Sequence, residues 1–489
     1  MKIKLVLIHI FFLLSSLSGS ITFEKNLGAE WDDHGNAVCQ TSDGGYLIAG
    51  DMIDSLDYSY TFLIMTKLYP QGEPDWLMWV TGAVNTDVSH PYNVGYSVIE
   101  SDDGGYVIAG SIDTVNMGCI LTEGFVLKTD TKGNIIWYYQ DLNDGQISNV
   151  AYQIVQTKDK GYILICGYYD GFMSDFIIKL NSEGKEEWRK YYYYHINGRS
   201  ILENKEGGFS FIGTTEDESE NNVLTLVKTD SLANEIWSKT YSGLFSFGMG
   251  YTLKNTTDDG YIIFGLTDQE AYGDLAKLIK TDENGEKAWE KHYGDLENAD
   301  INTVGRCLDI TSEGGYILAG YTENISTGMA DAWLIKTDSE GNEIWKKTYG
   351  REGDDRFYSV IQTSDGGYIM TGYTDSYGFG GKDVWVVKTD ENGTEIESPF
   401  LPQTTDLYQN YPNPFNPETE IKFNLQSKCN VNIAVFNSKG ELIKTLLEGI
   451  HDKGLHSVHF DATGLNSGVY FYKLTAEDNI ITRKMLFLK

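Results

Sequence analysis

The side chains best equipped for chemistry in this chain are carboxylates and aromatic rings crowded into short polar segments. Trp31, Asp32 and Asp33 form one segment, and Asp54, Asp57, Tyr58 and Tyr60 another. Others are Tyr168, Tyr169 and Asp170; Glu216, Asp217 and Glu218; Glu270, Tyr272 and Asp274; Asp354 and Asp355; and Tyr377 and Phe379. Aromatic planes stack on sugar rings, and carboxylates accept the hydrogens of sugar hydroxyls or bind cations. The combination suits a glycan or protein ligand. It also suits an acidic, Tyr-rich surface with no specific ligand.

Signs of catalysis are weak. His34 beside Asp32 and Asp33 has the makings of a metal or acid–base cluster, but adjacent charges on a loop are ordinarily solvated. TDENG at 281–285 and 389–393 begins like a calcium loop, then lacks the further carboxylates and the distal Glu, so it reads as a turn. No G-x-S-x-G, H-E-x-x-H or P-loop occurs. The paired carboxylates of glycoside hydrolysis cannot be singled out among so many. Cys39, Cys119, Cys166, Cys307 and Cys429 lack metal-ligand spacing and read as buried free thiols. No catalytic residue, metal or cofactor is assigned.

What must position the acidic and aromatic segments is a repeat. TSDGGYLIAG (41–50), SDDGGYVIAG (101–110), TSEGGYILAG (311–320) and TSDGGYIMTG (363–372) are its clearest copies. Weaker ones stand at 157–167, 204–213 and 256–265, and the first of these has one extra residue, read as a bulge. The aromatic falls at Tyr46, Tyr106, Tyr162, Phe209, Tyr261, Tyr316 and Tyr368. A second motif follows, with Lys67, Lys128, Lys179, Lys228, Lys280, Lys336 and Lys388 each trailed by Trp76, Trp137, Trp188, Trp237, Trp289 and Trp345, except that Glu397 stands in the last place. Each period holds four short runs rich in Ile, Val, Tyr and Thr, bounded by Gly, Asp and Asn. Four strands per period, repeated seven times, predict an all-β fold with a seven-bladed β-propeller of four-stranded blades. The last blade lacks its Trp strand, and FEKNLG (23–28), which aligns with WKKTYG (345–350), is expected to supply it, with Phe23 in the Trp position. The Gly-x3-Trp spacing is similar to the tryptophan-docking turn of quinoprotein-like propellers, a resemblance of scaffold and not of cofactor. Tight Asp-Gly-Gly and Asp-x-x-Gly turns share one face. The longer, blade-specific loops carrying the segments above share the other, where function usually sits.

Composition shifts after residue 397, with Pro399, Pro402, Pro412, Pro414 and Pro417 close together. Six strand-like runs follow, as for an immunoglobulin-like β-sandwich. NYPNPFNPETEIKFNL (410–425), FNSKGELIKTLLEG (436–449), SGVYFYKL (467–474) and KMLFLK (484–489) resemble the type A sorting domain of the type IX secretion system. The resemblance implies export through the periplasm and outer membrane of a Gram-negative bacterium of the Bacteroidota or a related lineage, with the secretion machinery as partner of residues 407–489. Residues 1–20, with Lys2 and Lys4 before the apolar Leu5–Leu14, read as a secretory signal. The expected division is signal 1–20, propeller 21–397, linker 398–406 and sorting domain 407–489. No apolar run is long enough for a transmembrane helix. The net charge of −33 argues against nucleic acid. The reading is a secreted or surface-attached, non-enzymatic propeller that binds an extracellular ligand. Its alternatives are a secreted polysaccharide hydrolase or lyase acting through carboxylates of the loop face, and a structural surface protein.

Overall fold

The computed structural model describes residues 2–7, 22–28, 32–53, 61–81, 93–116, 119–141, 148–168, 175–192, 196–216, 222–241, 250–267, 274–294, 301–326, 328–351, 353–376, 378, 381–394, 405–407, 410, 413, 415–425, 428–451, 454–477 and 479–489. All regular structure among them is β-strand, and no helix is long and apolar enough to cross a membrane. The chain divides into two compact units, Met1–Glu395 and Ile396–Lys489.

In the first unit the repeat folds into seven antiparallel blades. His34–Gln40, Tyr46–Ile53, Thr61–Leu68 and Pro74–Thr81 make the first, in that order across the sheet. The first strands of successive blades touch one another in a closed ring, from His34–Gln40 round to Asp355–Gln362 and back. They therefore line a central channel, and the Trp-bearing strands form the rim.

The last blade closes as expected. Phe23–Leu27 pairs antiparallel with Asp383–Thr389 and places Phe23 opposite Lys388, as Trp345 stands opposite Lys336 and Trp76 opposite Lys67. The Phe23 ring lies 5.8 Å from Tyr46 of the next blade, matching Trp76–Tyr106 at 5.8 Å and Trp345–Tyr368 at 5.9 Å. Rim aromatics dock on the tight turn of the next blade. An added Cβ on Gly341, whose φ is 75°, would lie 2.8 Å from Trp289, so both the turn and the docked ring require glycine there. Lys2–Leu7 pairs with the rim strand of the first blade, opposite Trp76–Thr81. A rim strand presents one row of unpaired backbone groups, and an extended segment can satisfy them.

The recurring lysines are scaffold. Each is paired with the acid of its own blade's turn, for example Lys67–Asp43 at 2.9 Å, Lys280–Asp258 at 2.8 Å and Lys388–Asp365 at 3.0 Å. Burial alone would raise the Asp258 pKa, but hydrogen bonds from Lys280 and Thr256 bring it down to about 2.

The extra residue at 157–167 does not form a bulge. Tyr162–Gly167 pairs without a break with Asp175–Leu180, and Cys166 simply stands opposite Ala151 where Gly50 stands opposite Gly35 in the first blade. A bulge does occur in that sheet, on the strand before it, and it recurs in every blade.

The second unit is a β-sandwich. Asp406–Leu407, Glu418–Leu425 and Gly454–Asp461 form one sheet; Leu442–His451, Cys429–Asn437, Gly468–Ala476 and Asn479–Phe487 form the other. Ile421 and Phe423 from the first and Val431, Ile433, Tyr472 and Met485 from the second share one buried core.

Candidate functional site

Each channel-lining strand breaks register once, at the same place in the repeat. The residues passed over are Asn36, Tyr96, Tyr152, Tyr251, Arg306 and Tyr358, and in the fourth blade a longer irregularity contains Arg199. A bulge leaves one residue out of the pairing and re-aims its side chain. All seven converge on one cavity of about 370 Å³ at the end of the channel nearest the blade-specific loops, with His34, Asp51 and Val94 completing its described lining. That volume is in the range of small-ligand sites.

Two features accompany the bulge in most blades, although Cys166 replaces the glycine in the third and Ala37 the polar residue in the first. The glycine that ends Tyr-x-Ile-x-Gly sits under the displaced backbone: an added Cβ on Gly110 would lie 2.0 Å from the Val94 carbonyl oxygen, and on Gly320 2.0 Å from that of Val304. The residue after the bulge also serves the ring. Ser97 Oγ accepts the Ile154 N–H at 3.3 Å, Ser200 Oγ the Leu253 N–H at 3.0 Å, Ser359 Oγ the Val38 N–H at 3.3 Å, and Gln153 Oε1 the Ile201 N–H at 2.6 Å. Each bond ties one blade's inner strand to the next, satisfying an amide that the bulge frees.

The chain is strongly acidic, yet this cavity is not. Arg306 stacks against Tyr251 and Tyr358, with its guanidinium carbon 4.8 Å from each ring centre, and Arg199 stands 4.8 Å from Tyr152 and 5.8 Å from Tyr251. Tyr96 meets Tyr152 edge-on at 5.6 Å. Asp51 is the one carboxylate in the described lining, and it is engaged by His34 Nδ1 at 2.8 Å and Asn36 Nδ2 at 3.0 Å. Burial alone would lower the His34 pKa, but the Asp51 hydrogen bond and charge lift it above the ordinary histidine value. His34 thus pairs across the sheet with Asp51 and not with its neighbours in sequence.

Of the loop residues singled out from sequence, Trp31, Tyr58, Tyr60, Tyr169, Asp170, Tyr272, Tyr377 and Phe379 lie outside the described residues, as does the Tyr168 side chain. Asp32, Asp33 and Asp354 come together where the last blade meets the first. Asp32 Oδ1 accepts the Lys382 N–H at 2.9 Å, Asp33 Oδ1 the Ile53 N–H at 3.0 Å, and Asp354 holds Arg356 at 2.7 Å and Lys382 at 3.3 Å. Asp355 is buried and accepts the Arg351 N–H at 2.8 Å and the Ser376 hydroxyl at 2.6 Å. Asp274 stands apart, its N–H donating to Asn302 Oδ1 at 2.9 Å. None of these five is among the cavity's lining residues. Sequence reasoning missed the channel residues, although each stands at a constant distance before the recurring aromatic, as Asn36 does before Tyr46 and Tyr358 before Tyr368.

No curated protein matches the chain. Among solved structures it is similar to a protein of unknown function from Dyadobacter fermentans at 10% identity and TM-score 0.41, over 76% of this chain and 98% of that one. A sialidase from Trypanosoma rangeli aligns at 8% identity and TM-score 0.40, over 96% and 87%. An endo-arabinase from Bacteroides thetaiotaomicron aligns at 10% identity and TM-score 0.33, over 50% and 94%. Residues 409–488 match the secretion system C-terminal sorting domain, so the β-propeller is followed by a type IX sorting domain, which implies export to the cell surface or beyond.

Proposed function

We propose that the protein is an exported, non-catalytic propeller that binds an extracellular glycan in its central channel, at the mouth facing the blade-specific loops. The observation that carries this is the convergence of Tyr96, Tyr152, Tyr251 and Tyr358, all at one position of the repeat, on a single cavity. Tyrosine rings offer flat apolar faces to sugar C–H groups and hydroxyls to their rims. Glycoside hydrolysis uses two carboxylates flanking the bond, whereas the described lining holds Asp51 alone, already engaged by His34. That favours binding over turnover. In this reading Trp31, Tyr58, Tyr60, Tyr168, Tyr169, Asp170, Tyr272, Tyr377 and Phe379, expected from sequence on the loop face, would extend the contact outward.

In this reading residues 1–20 are a signal that is removed, 21–397 are the propeller, 398–406 the linker, and 407–489 an immunoglobulin-like sorting signal read by the secretion machinery of a Bacteroidota-like bacterium. A saccharide array probed with the purified protein tests the binding. Saturable binding that Tyr251→Ala weakens at least tenfold, with no release of reducing ends, is the expected result. Binding indifferent to Tyr251 would move the site elsewhere, and release of reducing ends would make the protein an enzyme.

A further inference from the structure

Resting on the channel as the ligand site, the geometry points to an anionic saccharide, one bearing carboxylate or sulfate groups, as the ligand, with Arg199 and Arg306 receiving the anion. Tyr152, Arg199, Tyr251, Arg306 and Tyr358 occupy successive blades, so aromatic and cation alternate round this side of the channel. Each guanidinium is stacked between rings, Arg306 at 4.8 Å from both and Arg199 at 4.8 and 5.8 Å. A guanidinium held over aromatic faces keeps N–H donors to offer an anion that enters the cavity.

Among the described residues neither guanidinium is neutralised. The Nε of Arg199 and of Arg306 is buried with no hydrogen-bond acceptor, and neither side chain forms an ion pair among the described residues. Other half-buried arginines are neutralised: Arg189 by Asp141 at 3.0 Å and Glu186 at 2.5 Å, Arg356 by Glu323 and Asp354 at 2.7 Å each. Among the described residues the channel's two arginines thus form no ion pair, and the one carboxylate that feels the Arg199 charge, Asp175, is buried behind it with its pKa raised to about 8. A held, half-desolvated guanidinium edge matches the paired oxygens of a carboxylate or sulfate. A neutral sugar would leave both charges uncompensated. The tyrosines on either side then supply the stacking surface for the ring that carries the anion.

The test is calorimetric titration of the full chain with an oligogalacturonate, a sulfated oligosaccharide and a neutral malto-oligosaccharide of equal length. The wild-type protein should bind at least one acidic ligand on the order of tenfold or more tighter than the neutral one, and which acidic arm binds identifies the anion. Charge-assisted hydrogen bonds of this kind correspond to roughly 10- to 100-fold in affinity, so Arg306→Gln and Arg199→Gln should each abolish most of the preference. Thermal unfolding of each variant separates a lost contact from a lost fold, and Arg306→Lys, which keeps the charge and loses the fork, should retain part of the preference. Equal affinity for acidic and neutral ligands, or a preference untouched by both Gln variants, overturns the anionic assignment and leaves the channel reading standing. Failure of every saccharide to bind, or binding that ignores Tyr251→Ala, overturns both.

Discussion

Asp175 shows how the channel affects single residues behind it. It is fully buried, its Oδ2 accepts the Gly198 N–H at 2.7 Å, and its Oδ1 has no hydrogen-bond partner among the described residues. Burial lifts its pKa to about 8, against the lowering pull of the Gly198 N–H and the Arg199 charge. The folded chain therefore keeps a proton that the unfolded chain releases near the ordinary carboxylate value of about 3.9. More protons are bound folded than unfolded, so this group's contribution to stability falls as pH rises from about 4 to 8 and levels off above that. Asp175→Asn should remove the dependence. Its thermal midpoint, relative to wild type, should climb steadily across that window. A flat or falling difference would mean that Arg199 holds the carboxylate charged, and so would weaken the case for a free guanidinium.

At the scale of elements, closure of the ring rests on a short strand. Phe23–Leu27 meets the last blade, Phe23 packs on Tyr46 of the first, and Asp32 and Asp33 tie the following segment to Lys382. Phe23 is 4% exposed, so Phe23→Ala removes a core aromatic at the junction where the N-terminal strand completes the last blade. A loss of about 3–5 kcal/mol is expected in denaturant unfolding. Phe23→Trp restores the repeat's own residue and should be far milder. A loss below 1 kcal/mol for Phe23→Ala would show that the junction does not depend on the docked ring. This closure was legible in the sequence, because FEKNLG carries the spacing of WKKTYG around an aromatic. The bulges were not. Their sign is the glycine after Tyr-x-Ile-x, which local reasoning assigns to a turn or a strand end; only the facing strand reveals that its missing Cβ makes room for a carbonyl.

For the whole molecule, the two units divide the work. The sandwich carries the matched sorting domain and the propeller carries the cavity. Deleting residues 407–489 should leave the propeller inside the cell envelope, detected by fractionation, while its ligand binding persists. Unchanged appearance at the surface or in the medium would remove the sorting role. The chain carries a net charge of −33, whereas the cavity's described lining sets Arg199 and Arg306 against Asp51 alone. Association with an anionic ligand is then opposed at long range and favoured at contact, so moderate salt should speed capture before it weakens binding.

The sequence by itself determined the seven repeats, the closing strand and the sorting tail. All of these are written in local spacing, and one strand's periodicity or one turn's glycine is enough to read them. Only the tertiary structure decided which residues share a cavity. Asn36 and Tyr358 lie far apart along the chain, and what brings them together is the ring of inner strands. Attention to carboxylates and aromatics on long loops followed composition, which counts residues but not their directions. The bulge sets direction: it turns one residue per blade out of the sheet and into the channel, and so collects two arginines that form no ion pair among the described residues, in a protein whose overall charge gives no sign of them.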